Sequence, residues 1–170
     1  MKLLYFSGFS LHDEKELFRE YLIDNDVSVS GFSYGAIKAF EYALRCEKRI
    51  DKLQLFSPAF FQTQSEKFKK MQMVFFKKDA KTYSENFLKN CGFSENIKQQ
   101  YFSHGNAQEL HELLYYVWDK EKLLRLKNKG TFIEVYLGGE DKIIDAKRAC
   151  DFFRDFGEVY FIKNGSHILR

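Results

Sequence analysis

What most constrains the fold of this chain is an alternation: short apolar runs closed by glycine or serine, separated by stretches of helical periodicity. Residues 2–6 are apolar and run into Ser7-Gly8-Phe9, which predicts a buried strand opening into a loop. Residues 13–22 put Leu17, Phe18, Tyr21 and Leu22 on one side of a predicted helix. A second strand is expected over 27–30, then a helix over 34–44 whose Ala36, Ala39 and Ala43 suit close packing on a sheet. A third strand, 53–56, stops at Ser57 and Pro58, the single proline. Residues 60–128 lose the strand pattern. They are dense in Lys, Phe and Leu, with helix stops at Gly92 and Gly105 and with Asn106 and Glu109 spaced as a capping box. The strand pattern resumes over 131–137, Asp145 is placed to cap a helix running through Phe156, and 159–162 is the last strand. This order predicts an α/β fold: about five mostly parallel strands, flanking helices and a helical insertion at about 60–128.

A length of 170 residues fits one domain, 1–170, with a single core. With 19 Phe and 10 Tyr there is ample apolar area to offset chain entropy, so disorder is not expected. The 27 basic and 24 acidic side chains leave a net charge of +3, too balanced to mark a nucleic-acid binder, though it permits an acidic partner. Cys46, Cys91 and Cys150 are widely spaced and odd in number, without metal-ligand spacing; free thiols, no metal and no cofactor are expected. No leader pattern and no apolar run of ~20 residues is present, which predicts a cytoplasmic protein without integral membrane association. A monomer is expected.

Chemistry enters at Gly31-Phe32-Ser33-Tyr34-Gly35, between a predicted strand and a predicted helix. A sharp strand-to-helix turn exposes a serine as nucleophile, the glycines let backbone pass close, and the helix N-terminus faces a developing oxyanion. The plain alternative is a glycine-rich turn with a solvated serine. His167 follows the last strand in Asn164-Gly165-Ser166-His167, where a base would serve Ser33. The acid is sought between them, in the loop after the strand ending near Leu137. Asp141 is the first choice; Asp145 is better placed as a helix cap and Glu140 as a solvated side chain, and both stay as alternatives. Two backbone N–H groups must face the oxyanion, and those of Phe9 and Tyr34 are the candidates. His12, His104 and His111 read as solvated residues before they read as catalytic ones.

Ser7-Gly8-Phe9, Gly31-Phe32-Ser33-Tyr34-Gly35, Gly138-Gly139-Glu140-Asp141 and Gly165-Ser166-His167, in that order, resemble the α/β-hydrolase superfamily across nearly the whole chain. Within it, the short chain and compact insertion resemble the pimeloyl-[acyl-carrier protein] methyl ester esterases of biotin synthesis. That resemblance implies a serine carboxylesterase with the triad Ser33, Asp141 and His167, acting on a methyl ester of a pimeloyl chain carried by acyl carrier protein. The chain departs from the pattern in places. About 25 residues separate Gly8 from Ser33, too few for the extra strands common in the superfamily. Only three residues follow His167, and Ile144 stands where a proline is often found.

The insertion bears on the substrate. Lys67, Lys69, Lys70, Lys77, Lys78 and Lys81 surround Phe68, Met71, Met73, Phe75 and Phe76 in a basic amphipathic stretch. The apolar side is expected to pack on the core. Lys69, Lys70, Lys77 and Lys78 read either as a solvated face or as a docking surface for an acidic carrier protein, with a membrane surface as a third reading. Phe9, Phe32, Tyr34, Phe60 and Phe61 are candidates to line an acyl channel. An acyl thioesterase or short-chain carboxylesterase would use the same triad, and a non-catalytic binding protein could keep the fold.

Overall fold

A computed structural model describes residues 4–170, so Lys2 and Leu3 of the first predicted strand lie outside the described residues. The strands β1 (Leu4–Phe6), β2 (Ser28–Phe32), β3 (Lys52–Phe56), β4 (Phe132–Gly138) and β5 (Glu158–Ile162) form one sheet, in the order β1-β2-β3-β4-β5. Every neighbouring pair is parallel. All strands therefore end at the same edge, and the pairing Phe32 to Phe56 to Tyr136 sets Ser33 and Ser57 level on that edge. Loops distant in sequence meet there, as expected for an α/β sheet.

Alternation along the strands gives the sheet two unlike faces. Val29, Leu53, Leu55, Ile133, Val135 and Leu137 point to a core shared with α1 (Tyr34–Arg45), α5 (Ala107–Tyr115), α6 (Lys120–Asn128) and α7 (Ala146–Phe153). Each such Leu or Ile contributes about 1.5 to 3 kcal/mol by leaving water. The opposite face is half polar. Glu134 accepts from Lys52 at 2.6 Å, Gln54 at 2.9 Å and Tyr136 at 2.9 Å. Burial opposes the charge on Glu134, but those three donors hold its carboxyl below the usual range.

The predicted helix over 13–22 is instead a 3-10 helix, Glu14–Phe18. Its apolar side is as expected: Leu17 and Phe18 are buried, and Phe18 stacks on Phe56 at 4.7 Å. What stops it is the polar face of the sheet. Tyr21 O accepts from Gln54 at 2.8 Å, and Ile23 N–H donates to the same side chain at 2.8 Å, so the backbone there serves the sheet and not a helix ladder.

Five helices lie between β3 and β4: α2 (Glu66–Lys78), α3 (Ala80–Cys91), α4 (Glu95–Tyr101), then α5 and α6. Each is started by a side chain, from Ser65, Asp79, Ser94, Asn106 and Asp119, that accepts an otherwise unpaired N–H. Asn106 and Glu109 form the expected capping box, and Gly92 ends α3 at φ 106. Trp118 anchors the group, buried and donating from its ring N–H to Ala59 O at 2.8 Å.

Candidate active site

The turn from β2 into α1 holds Ser33 at φ 53, ψ −112, a conformation costing about 1 to 3 kcal/mol for a residue with a side chain. Neighbouring backbone holds it there. Ser33 N–H donates to Phe56 O at 2.9 Å, and Ser33 O accepts from Ala36 and Ala59 N–H, each at 3.1 Å. Glycine is required on both sides by contact: a Cβ on Gly31 would sit 2.2 Å from Gly35 O, and one on Gly35 would sit 2.0 Å from Phe6 O. The Phe6 carbonyl cannot retreat without disturbing the β1–β2 pairing, nor the Gly35 carbonyl without disturbing the first turn of α1. Gly35→Ala is therefore expected to lower stability by about 3 kcal/mol or more in urea denaturation, at the high end for single substitutions. A variant as stable as the wild type would contradict this close approach.

His167, in the loop after β5, is fully buried. Its Nε2 lies 2.9 Å from Ser33 Oγ and its Nδ1 lies 2.6 Å from Asp141 Oδ2. A carboxylate only accepts, so Nδ1–H donates to Asp141 and the Nε2 lone pair faces the serine hydroxyl. Asp141 is oriented in turn, because Oδ1 accepts the N–H groups of Ile143 at 2.7 Å and Ile144 at 3.0 Å. Beneath the imidazole lies the Phe32 ring, 5.1 Å away and also packed on Phe18, so Phe32 is core and not channel wall. Asp145 is elsewhere, accepting from Arg148 N–H as the α7 cap, and Glu140 is exposed.

Ser57 is a site residue that sequence reasoning passed over. At φ 41, just past the end of β3, it donates from Oγ to His167 O at 2.6 Å and so fixes the backbone that carries the imidazole. In the sequence, its place before the only proline marks no more than a strand stop.

Of the two candidate N–H donors, Tyr34 directly follows Ser33 and Phe9 lies in the loop after β1. Phe9 N–H has no acceptor among the described residues, and Tyr34 opens α1, where no intrahelical acceptor exists. His12 is half exposed beside Asp13, His104 packs edge-on to Phe102, and His111 stacks on Tyr115; none approaches the Ser33 cluster.

The insertion covers the site. Ser33 is buried, and Phe9 packs against Phe76 of α2 and Phe87 of α3 at 6.0 and 5.5 Å. Beside this aromatic cluster is a cavity of about 600 Å³ whose walls include Phe61, Phe68, Phe87, Leu114 and Ile143. Phe61 is thus on the cavity wall. Phe60 is not: it packs in the core against Phe152 and Phe153 at 5.5 and 6.0 Å. The four lysines also divide. Lys70 and Lys77, seven residues apart, are exposed on one side of α2 with Met71 and Val74 between them. Lys78 lines the cavity, and Lys69 turns inward with its ammonium 5.2 Å from the Tyr115 ring centroid. Successive helical residues are about 100° apart, so four lysines at these spacings do not share one face.

No family model and no curated protein matches the chain. Solved structures do resemble it. An esterase from Exiguobacterium antarcticum aligns with a TM-score of 0.65 at 15% identity over 82% of this chain; the chain spans 59% of that esterase's length. BioG from Haemophilus influenzae aligns with a TM-score of 0.61 at 13% identity, covering 98% of this chain and 88% of its own. Naproxen esterase from Bacillus subtilis aligns with a TM-score of 0.63 at 15% identity, covering 98% and 77%. Likeness at such identities speaks for the fold, and the fold it speaks for is that of the α/β hydrolases, here reduced to five strands.

Proposed function

We propose that the protein is a serine carboxylesterase that hydrolyses the methyl ester of a pimeloyl chain carried on acyl carrier protein, in the cytoplasm. The observation that carries the hydrolase reading is the buried relay of Ser33 Oγ, His167 and Asp141, at 2.9 and 2.6 Å. In this reading Ser33 Oγ attacks the ester carbonyl while its proton passes to His167 Nε2. Asp141 steadies the imidazolium, and the Phe9 and Tyr34 N–H groups take the oxyanion. The tetrahedral intermediate expels methoxide, which leaves as methanol with the Nε2 proton. Water then gives a proton to Nε2, attacks the acyl-serine, and frees the carboxylate as Ser33 recovers its hydrogen.

The substrate part rests on the sequence resemblance, with support from the likeness to BioG over most of both chains and from a cavity that offers Phe61, Phe68, Phe87, Leu114 and Ile143 beside polar and charged groups such as Asn86, Asn90 and Lys142. Methanol release from pimeloyl-[acyl-carrier protein] methyl ester tests it directly. Faster turnover of the matching thioester would favour a thioesterase, and absence of fluorophosphonate labelling at Ser33 would favour a binding protein.

The carrier-protein part has its own test. Lys70 and Lys77 flank exposed Met71 and Val74 on α2, a basic and apolar surface suited to an acidic partner. Lys70→Glu with Lys77→Glu should raise KM for the carrier-borne ester, by about 0.2 to 1 kcal/mol for each ion pair with the carrier that is broken. The wild-type advantage should shrink with added salt. A small activated ester should be cleaved as before. Unchanged kinetics on the carrier-borne ester at low salt would make this face merely solvated.

A further inference from the structure

The 3-10 helix that follows the loop after β1 opens on a buried acid for which the proposed chemistry has no use. Glu14 is fully buried; its Oε1 accepts the Gly8 N–H at 2.8 Å and the Tyr5 hydroxyl at 3.0 Å. Its Oε2 is, among the described residues, the one buried side-chain oxygen or nitrogen without a partner. Burial pushes the carboxyl above its ordinary range, although the Gly8 N–H, its own N–H and the Ser7 and Tyr5 hydroxyls act the other way. A half-satisfied buried acid destabilises a fold relative to an apolar side chain of similar size. Packing beside the buried Leu17 and Phe18 therefore does not account for Glu at this position.

What Glu14 holds is the peptide N–H one residue before Phe9, whose own N–H is free. The surrounding loop is not held by regular structure: Ser10 at φ 58 and Asp13 at φ 52 are both left-handed without being glycine. Within itself the loop is tied by Asp13 N–H to Ser7 Oγ at 3.1 Å and by Leu11 N–H to Gly8 O at 3.3 Å, and further ties run to the insertion. Ser10 Oγ lies 3.3 Å from Ser84 Oγ, Ser103 N–H donates to Ser10 O at 2.9 Å, and His12 N–H donates to Tyr101 O at 2.9 Å. Glu14, with Tyr5 of β1, ties the loop to the sheet that carries Ser33.

We propose that Glu14 is a positioning residue for the oxyanion donor: by holding Gly8 N–H it aims Phe9 N–H at the carbonyl oxygen of an ester poised at Ser33. This rests on the esterase reading above. Tyr5 and Gly8 need an acceptor at the reach of a glutamate side chain, and they do not need its charge.

The test separates reach from charge. Glu14→Gln keeps the acceptor at the same reach; Glu14→Asp keeps the charge but is one methylene short; Glu14→Leu removes both. Turnover of p-nitrophenyl acetate is measured with inhibition by a trifluoromethyl ketone, whose serine adduct carries an oxyanion. Loss of an oxyanion donor outright costs about 100- to 1,000-fold, so a misdirected one should cost about 10-fold or more. The expected result is Glu14→Gln within about threefold of wild-type kcat, with Glu14→Asp and Glu14→Leu down about 10-fold or more at KM within about threefold. Ketone affinity should fall in parallel with kcat, which general loosening of the fold would not produce. If Glu14→Leu does not fold, the Asp and Gln variants decide. Wild-type kcat in Glu14→Asp, a Gln variant as impaired as Asp, or lost kcat with undiminished ketone affinity each overturns the inference while leaving the esterase reading intact. A wild-type protein that neither cleaves the ester nor takes up fluorophosphonate overturns both.

Discussion

Replacing Ser33 with Ala is expected to lower kcat for the ester by about a million-fold, and His167→Ala by a comparable factor. The two buried side chains meet at 2.9 Å, and neither works alone: without Oγ there is no covalent intermediate, and without Nε2 the hydroxyl keeps its proton. The double variant should be hardly worse than either single one, since the pair acts as a unit. Residual turnover should stay above the uncatalysed rate, because the free N–H groups of Phe9 and Tyr34 remain. Methanol release measures the loss, fluorophosphonate labelling should vanish in Ser33→Ala, and circular dichroism should confirm an intact fold. Turnover within tenfold of wild type in either variant would end the assignment of these residues.

Asp141→Asn is expected to cost about 10,000-fold in kcat, although it changes only one atom. Asp141 Oδ1 is committed to the Ile143 and Ile144 N–H groups, so an asparagine there keeps its carbonyl oxygen on them and turns its NH2 toward His167 Nδ1. A donor facing Nδ1 selects the tautomer protonated on Nε2, which then points hydrogen at Ser33 Oγ and cannot take its proton. Asp145→Asn is the matched control. Its carboxylate accepts only the Arg148 N–H at the start of α7, a bond asparagine makes nearly as well, so activity should stay within about threefold. A severe loss at Asp145 with a mild one at Asp141 would reverse the two roles.

The path from sequence to site was legible wherever a local rule applied. The succession of strands along the chain, the turn around Ser33, the Gly92 stop and the Asn106–Glu109 box depend on residues a few positions apart, and each is present in the structure. Residues 13–22 misled because their periodicity is truly helical, while Gln54, more than 30 positions on in the chain, claims the backbone that a longer helix would need. Phe60 and Phe61 are neighbours of one type, and no pattern within a few residues tells the core from the cavity. Lys69 and Lys70 are alike in the same way; only α5, with Tyr115, turns the first inward.

The sequence by itself determined the α/β architecture and the sharp turn at Ser33, since hydrophobic period, capping and glycine's tolerance of close contact all act over a few residues. The tertiary structure alone decided which of three carboxylates meets His167, that Ser57 holds the histidine backbone, that Glu14 reaches Gly8, and that Phe76 and Phe87 of the insertion pack on Phe9. Those outcomes depend on how parallel strands bring separate loops to one edge of the sheet. Ser57 and His167 are 110 positions apart, and their 2.6 Å bond exists only once β3, β4 and β5 lie side by side.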